Sequence, residues 1–256
     1  MLLVCDIGNT RIKTALFKKD KIIDFNSFLS VNKLIRSYKR KNITSVVFSS
    51  VVPGKSKKFT SQIKKQFKIP PFRIKDSINF NLKIDYSTPE YVGTDRICSA
   101  EGAFYLFKKS RNYKNYNKND IIISIDLGTA TTLNFVKYPG IFKGGIIAPG
   151  IKMMSESLHN QTALLPVVST SEYKKLIGWN TKESVASGII NSTVGLIEKS
   201  INELKLKDKS ANIYVFITGG NAKQIIPHLK IKYKFVSELV LIGIKAVYEK
   251  NMATKL

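Results

Sequence analysis

The stretch Ile121–Val136, IIISIDLGTATTLNFV, constrains the fold of this chain more than any other. A run of β-branched residues reaches Asp126, turns through Leu127-Gly128-Thr129-Ala130 and resumes as a second β-prone run. That pattern predicts a strand–turn–strand hairpin with a glycine at the awkward backbone angle. Its chemical content is one carboxylate at a strand end, beside small hydroxyl side chains and backbone N–H groups. Phosphate oxygens seek such donors, and a carboxylate there suits the accompanying cation. An ordinary hairpin would also place an Asp at its turn, so the stretch alone leaves both readings open.

The chain opens with the same device. Asp6-Ile7-Gly8-Asn9-Thr10 echoes Asp126-Leu127-Gly128-Thr129-Ala130 at an offset of 120 residues. An echo across half the chain predicts two similarly built halves. Near the end, Val215–Thr218 runs into Gly219-Gly220-Asn221-Ala222, a strand–glycine–helix turn that a flat ring could approach closely. Two D-x-G hairpins followed by this late turn resemble the actin-like ATPase and sugar-kinase superfamily. The fold class implied is α/β, two duplicated ribonuclease-H-like domains with an active-site cleft between them. We take the domains as residues 1–117 and 118–256, joined through the Lys/Asn/Tyr-rich, solvated segment Lys108–Asp120.

The coarse element pattern agrees with that resemblance. In the first half, strands are expected at Leu2–Asp6, Ile12–Phe17 and Ile22–Phe28, and a helix over Val31–Arg40 capped by Ser30. A strand over Ser45–Val52, a helix over Lys57–Phe67 and a short strand at Phe72–Ile74 follow. Residues 76–92 read as loop, and a helix opens at Val92-Gly93-Thr94-Asp95-Arg96. That opening sets a carboxylate and a guanidinium in one first turn; Asp is favoured there by the helix dipole, whereas Arg is not.

The second half repeats the order. Its strands are expected at Ile121–Asp126, Thr131–Tyr138 and Phe142–Ile147, with helices near Ile151–Leu158 and over Thr181–Leu204. The strand Ile213–Thr218, a helix over Ala222–Leu229, a strand at Lys234–Val236 and a closing helix over Glu238–Glu249 complete it.

Composition limits the partners. The net charge of +24 invites a nucleic-acid reading, but among 42 basic residues only 6 are Arg. Base readout and bidentate phosphate clamps lean on Arg, and this Lys surplus runs along the whole chain. The same chain is rich in Ile, Asn, Tyr and Phe, so a bias toward AT-rich codons accounts for the charge better than a specific nucleic-acid surface. No apolar run reaches membrane-span length and Met1 leads directly into a strand, so we expect a cytoplasmic protein with no membrane partner. Cys5 and Cys98 lack metal-ligand spacing and are expected as buried free thiols. His159 and His228 read as surface or packing histidines.

The remaining motifs narrow the resemblance. D-I-G-N-T at Asp6–Thr10, G-T-D-R at Gly93–Arg96 and D-L-G-T-A-T-T at Asp126–Thr132 are joined by G-G-I-I-A-P-G at Gly144–Gly150 and T-A-L-L-P at Thr162–Pro166. Together they closely resemble the type III pantothenate kinases, which open coenzyme A biosynthesis, from Met1 to the last helix.

The resemblance implies that Asp6, Ile7, Gly8, Asn9, Thr10, Arg11, Ile12 and Lys13 form the ATP phosphate loop, with Thr129 a further nucleotide contact. It assigns pantothenate to Tyr86, Gly93, Thr94, Asp95, Arg96 and Thr181, and makes Asp95 the general base. Asp126 would hold a monovalent cation, K+ or NH4+, beside ATP with Mg2+. The family resemblance further implies a cytoplasmic homodimer. Three departures stand out: the long Lys108–Asp120 segment, Asn134 where many relatives carry Asp, and Thr94 in place of Ala. The alternatives are a transcription accessory factor of the same family and an actin-like kinase for another hydroxylated substrate. Three positioned carboxylates in a basic protein speak against a pure binder.

Overall fold

A computed structural model describes residues 1–74 and 79–253 of the chain. The strands are β1 (Leu2–Ile7), β2 (Ile12–Lys18), β3 (Lys21–Phe28), β4 (Ser45–Ser50), β5 (Phe72–Arg73), β6 (Lys83–Ile84), β7 (Ile121–Leu127), β8 (Ala130–Lys137), β9 (Ile141–Pro149), β10 (Ile213–Thr218) and β11 (Lys234–Phe235). The helices are α1 (Val31–Tyr38), α2 (Pro53–Phe67), α3 (Thr94–Lys108), α4 (Ile151–Asn160), α5 (Thr181–Lys207), α6 (Ala222–Ile225) and α7 (Leu239–Ala253). The chain divides into two compact units, the first comprising residues 1–115, 140–142 and 238–256 and the second residues 116–139 and 143–237.

Both units use one topology. In the first, the sheet order is β3-β2-β1-β4-β5, and in the second β9-β8-β7-β10-β11 follows the same sequence. β1 pairs antiparallel with β2 and parallel with β4; β7 pairs antiparallel with β8 and parallel with β10. The two D-x-G stretches therefore occupy equivalent hairpins, and this is the duplicated ribonuclease-H-like architecture. Asp6 stands opposite Lys13 and Ser49, and Asp126 opposite Thr132 and Thr218.

Strand alternation builds the core of the first unit on both sheet faces. One face sends Leu3, Cys5, Ile7, Val46 and Phe48 against Leu34, Tyr38, Phe59 and Ile63 of α1 and α2. The other sends Val4, Ala15, Phe17 and Val47 against Cys98 of α3 and Val240, Leu241, Ile244 and Val247 of α7. Each fully buried aliphatic or aromatic side chain contributes about 1.5–3 kcal/mol. In the second unit, Ile121, Ile123, Ile125 and Leu127 meet Val185, Ala186, Ile189, Ile190 and Ile197 of α5. The 3–4 residue spacing of that α5 set gives the helix its apolar face.

α7 returns to the first unit through close backbone approach to α3. A Cβ on Gly102 would strike the Leu239 carbonyl, and one on Gly243 the Cys98 carbonyl. Only glycine permits that crossing.

Several local expectations shift. α2 begins at Pro53, not Lys57, because proline suits the first helical position, where its missing N–H costs nothing. The helix expected over Ala222–Leu229 becomes α6 and a 3-10 turn at Ile226–His228, since Pro227 cannot donate to the helical ladder. Within residues 76–92, read as loop, those up to 78 lie outside the described residues. The rest contains β6, which pairs with Ile141 and Phe142, and a 3-10 turn at Pro89–Tyr91.

The solvated 108–120 segment holds a 3-10 turn at Arg111–Asn115 and ends on a fully buried Asp120. That carboxylate accepts the Asn212 backbone N–H at 3.0 Å and its side-chain amide at 2.9 Å, which offsets the cost of burial. Among the described residues no helix is long and apolar enough to cross a membrane.

Candidate functional site

In the first unit, β1 carries Asp6 to the edge of the β1–β2 hairpin, whose turn spans residues 8–11. The Gly8 N–H donates to the Arg11 carbonyl at 3.0 Å, and Asn9, Thr10 and Arg11 are exposed. Ile7 and Ile12 are buried beneath the turn and fix its base. Lys13 lies directly across the ladder from Asp6, so both project from the face on which α3 packs.

The first turn of α3 starts without a capping side chain. Gly93 takes the cap position without a side-chain bond, and Thr94 is the first helical residue. The Asp95 carboxylate instead accepts the Arg96 N–H at 2.9 Å, with one further oxygen left for a ligand. Negative charge at this helix start is favoured by the dipole. Asp95 and Asp6 both act on Cys98: burial raises its thiol well above the ordinary range, and the carboxylates of Asp6, Glu101 and Asp95 raise it further. Two of the three carboxylates singled out in the sequence thus sit on one side of one sheet, around a fully buried thiol.

Arg96 is buried, with its guanidinium 5.9 Å from the Phe142 ring centroid. The Tyr86 ring lies 6.5 Å from the same Phe142. Phe142 therefore brings Tyr86 and Arg96 together, although they are ten residues apart on different elements. The backbone does so as well, since the Asp85 N–H donates to the Phe142 carbonyl at 3.0 Å. Nothing in the sequence marked Phe142, an apolar residue at the start of an apolar strand.

The segment leading to Tyr86 is anchored by Glu101. This fully buried carboxylate accepts the Leu82 N–H at 2.8 Å and the Asn81 side-chain amide at 2.9 Å. Burial raises its pKa, and the bonds from Leu82 and Asn81 offset the shift only in part.

In the second unit, the β7–β8 hairpin presents Asp126, half-buried, and Thr129, exposed at the turn. Three partners lock the turn. The Gly128 N–H donates to the Ala130 carbonyl at 3.1 Å, and the Gly150 N–H to the Thr129 carbonyl at 3.1 Å. The Asn221 side chain donates to the Gly128 carbonyl at 2.8 Å. The late glycine pair enters here: Gly219 has φ +107°, and a Cβ on it would strike the Leu127 backbone. The strand–Gly–Gly turn thus packs on the D-L-G-T hairpin, and only glycine fits. Asn134 is fully buried on β8 and its amide donates to the Ser124 hydroxyl at 3.4 Å, a structural use of the position.

Thr181 opens α5. Asn180 caps the helix by accepting the Glu183 N–H at 3.0 Å, while Glu183 accepts the Trp179 N–H at 2.9 Å in a reciprocal box. That bond, with the Lys174 ammonium at 3.1 Å, holds the Glu183 carboxyl below its ordinary pKa. Thr181 lines a hollow of about 550 Å³ with Leu158, Leu165, Trp179 and Ser184. Among the described residues no group of three or more His, Cys, Asp or Glu side chains could hold a metal alone. The His159 Nδ1–H donates to the Leu165 carbonyl at 2.7 Å, and the His228 ring meets Tyr173 edge-on. Both cysteines are free and buried.

Comparison with known proteins gives the family. A family model described as type III pantothenate kinase matches residues 2–203. A type III pantothenate kinase of Persephonella marina is 34% identical, covering 97% of this chain and 98% of that protein. One from a Sulfurihydrogenibium species is 31% identical, covering 95% and 98%. Among solved structures, a glucokinase from an Antarctic psychrotroph has a TM-score of 0.50 at 13% identity, covering 97% of this chain and 98% of that one. A ROK hexokinase from Thermus thermophilus has a TM-score of 0.50 at 9% identity over 97% and 99%, so these two agree in fold alone. The chain belongs to the type III pantothenate kinase family.

Proposed function

We propose that the protein transfers the γ-phosphoryl group of ATP to the primary hydroxyl of pantothenate, the first step of coenzyme A biosynthesis. The observation that carries this reading is its near-full-length similarity to type III pantothenate kinases. Asp95 takes the hydroxyl proton as the oxygen attacks the γ-phosphorus. The bond between that phosphorus and the β,γ-bridging oxygen breaks, and ADP leaves. A carboxylate with one oxygen held by the Arg96 N–H is restrained to few orientations, which supports that role.

The first unit contributes the Asp6–Lys13 phosphate loop, with Lys13 and Arg11 as cations, and the Tyr86, Gly93, Thr94 and Arg96 wall for pantothenate. The pantothenate carboxylate suits Arg96, a planar cation held against Phe142. Within the second unit, Asp126 and Thr129 sit at a locked hairpin and Thr181 at a helix start. Magnesium accompanies the ATP phosphates; it typically uses one or two carboxylates and substrate oxygens, so no three-residue protein cluster is required. Asp126 would hold the monovalent cation, K+ or NH4+, whose positive charge would offset that of phosphate oxygens.

We further propose a cytoplasmic homodimer. Leu164, Leu176, Ile177 and Trp179 are each more than two-thirds exposed within one short stretch of the second unit, and a second copy would cover them. No specific nucleic-acid partner is assigned.

The testing experiment is ADP release with pantothenate against a panel of small alcohols, at fixed MgATP. Release with pantothenate far above every other alcohol is the expected result. Equal rates across the panel would replace pantothenate as acceptor, and no release with any acceptor would remove the kinase reading.

A further inference from the structure

The β1–β2 turn has a partner outside the motif. β4 runs parallel to β1, with Ser50 beside Ile7, and then passes directly into α2. Ser50 and Val52 exchange two hydrogen bonds of 3.2 Å, and the Ser56 N–H and hydroxyl both reach the Val52 carbonyl at 3.1 Å. The first turn of α2 is therefore fixed beside the hairpin. From it, the Lys55 ammonium donates to the Gly8 carbonyl at 3.2 Å and also to the Asn9 carbonyl.

An ammonium has three N–H donors. Two are accounted for by carbonyls of the turn, and the third, with the full positive charge, is available to an anion. The turn holds one internal backbone bond of its own, Gly8 to Arg11, so its orientation depends on outside support. A cation on the carbonyl side holds those peptide planes and thereby the direction of their N–H groups.

The ammonium thus stands at a turn whose residues 9–11 are exposed, where its charge can meet an anion bound to that turn. We propose that Lys55 is a further nucleotide-positioning residue: it clamps the Gly8–Asn9 turn and presents its charge to the phosphates bound there. The inference rests on the kinase reading, and on the phosphate-loop role of Asp6–Lys13.

The test is direct binding of MgATP, MgADP and adenosine to the full chain and to Lys55→Met and Lys55→Arg, with KM and kcat measured for pantothenate phosphorylation. Lys55→Met should weaken MgATP and MgADP by about tenfold. Adenosine affinity and the KM for pantothenate should stay unchanged, and Lys55→Arg should recover most of the loss. Unchanged MgATP affinity in Lys55→Met would overturn the proposal. So would an equal loss for adenosine, which marks general distortion, or an Arg variant as weak as Met. If the wild-type chain binds MgATP but phosphorylates nothing, the acceptor assignment fails while the Lys55 comparison still decides its own case. If it binds no nucleotide, both fall.

Discussion

Asn221 grips the D-L-G-T hairpin at two consecutive peptide groups. Its backbone N–H donates to the Leu127 carbonyl at 2.9 Å and its side-chain amide to the Gly128 carbonyl at 2.8 Å. The turn that follows β10 and the hairpin that carries Asp126 are thus one rigid body within the second unit. A phosphate or cation site needs that rigidity, because donors set before the ligand arrives cost no reorganisation on binding.

Asn221→Ala removes the side-chain bond and leaves the backbone one. Stability should fall by about 1 kcal/mol, as for an ordinary hydrogen bond. Nucleotide affinity should fall with it, because the Gly128 peptide is released to rotate. Thermal melting and MgATP titration of the variant check both. Asn221→Ala with wild-type nucleotide affinity would show that the hairpin holds its shape without the grip.

Asp95→Asn keeps the oxygen that accepts the Arg96 N–H and removes the base. Turnover should fall by about 10²–10⁴, with the KM for MgATP little changed. Steady-state kinetics across pH settles it. A variant within a few-fold of wild type would take Asp95 out of proton transfer.

Activity with magnesium present should need potassium or ammonium, with sodium a poor substitute. Asp126→Asn keeps the shape at the end of β7 but loses the charge. It should abolish the cation dependence and lower turnover by about 100-fold or more, beyond the 10–100-fold typical of outer-sphere partners. Assays in potassium, ammonium and sodium buffers compare the two proteins. Full wild-type activity in sodium alone would count against the assignment.

The duplicated strand order was legible because continuous apolar runs and the D-x-G echo are local signals. The strands expected at Leu2–Asp6 and Ile121–Asp126 could be read from their own residues. The supports of the candidate site were not. Phe142 gathers Tyr86 and Arg96, Glu101 holds Leu82, and Asn221 holds Gly128 across 93 residues. Each is a contact made only by tertiary folding, and the sequence around each residue has an ordinary local explanation. Pro53 misled for the opposite reason: a Pro-Gly pair reads as a turn, yet proline is also a good first helical residue. The return of α7 to α3 depends on Gly102 and Gly243, glycines inside helical patterns whose local meaning is only a weaker helix.

Glu101 supplies the last prediction, on pH. Its carboxylate is buried and accepts the Leu82 N–H and the Asn81 amide, and burial raises its pKa above the ordinary value near 4.5. The folded state therefore holds this proton more tightly than the unfolded one. Where the folded state binds more protons, stability falls as pH rises. The Glu101 contribution is fully present below the unfolded carboxylate pKa and is lost as pH rises through the raised folded value.

Glu101→Gln cannot titrate, and its amide NH2 confronts one of two donors, at a cost of about 1–3 kcal/mol. Melting of both proteins in parallel from mild acid to neutrality, at constant salt, isolates the effect, because their other charges are shared. The advantage of wild type over Glu101→Gln should be largest in acid and shrink toward neutral pH. The same loosening of residues 81–86 should raise the KM for pantothenate more than that for MgATP, since Tyr86 lies at the end of the anchored segment. A difference in melting that stays constant across pH would show that Glu101 does not change its protonation between the folded and unfolded states.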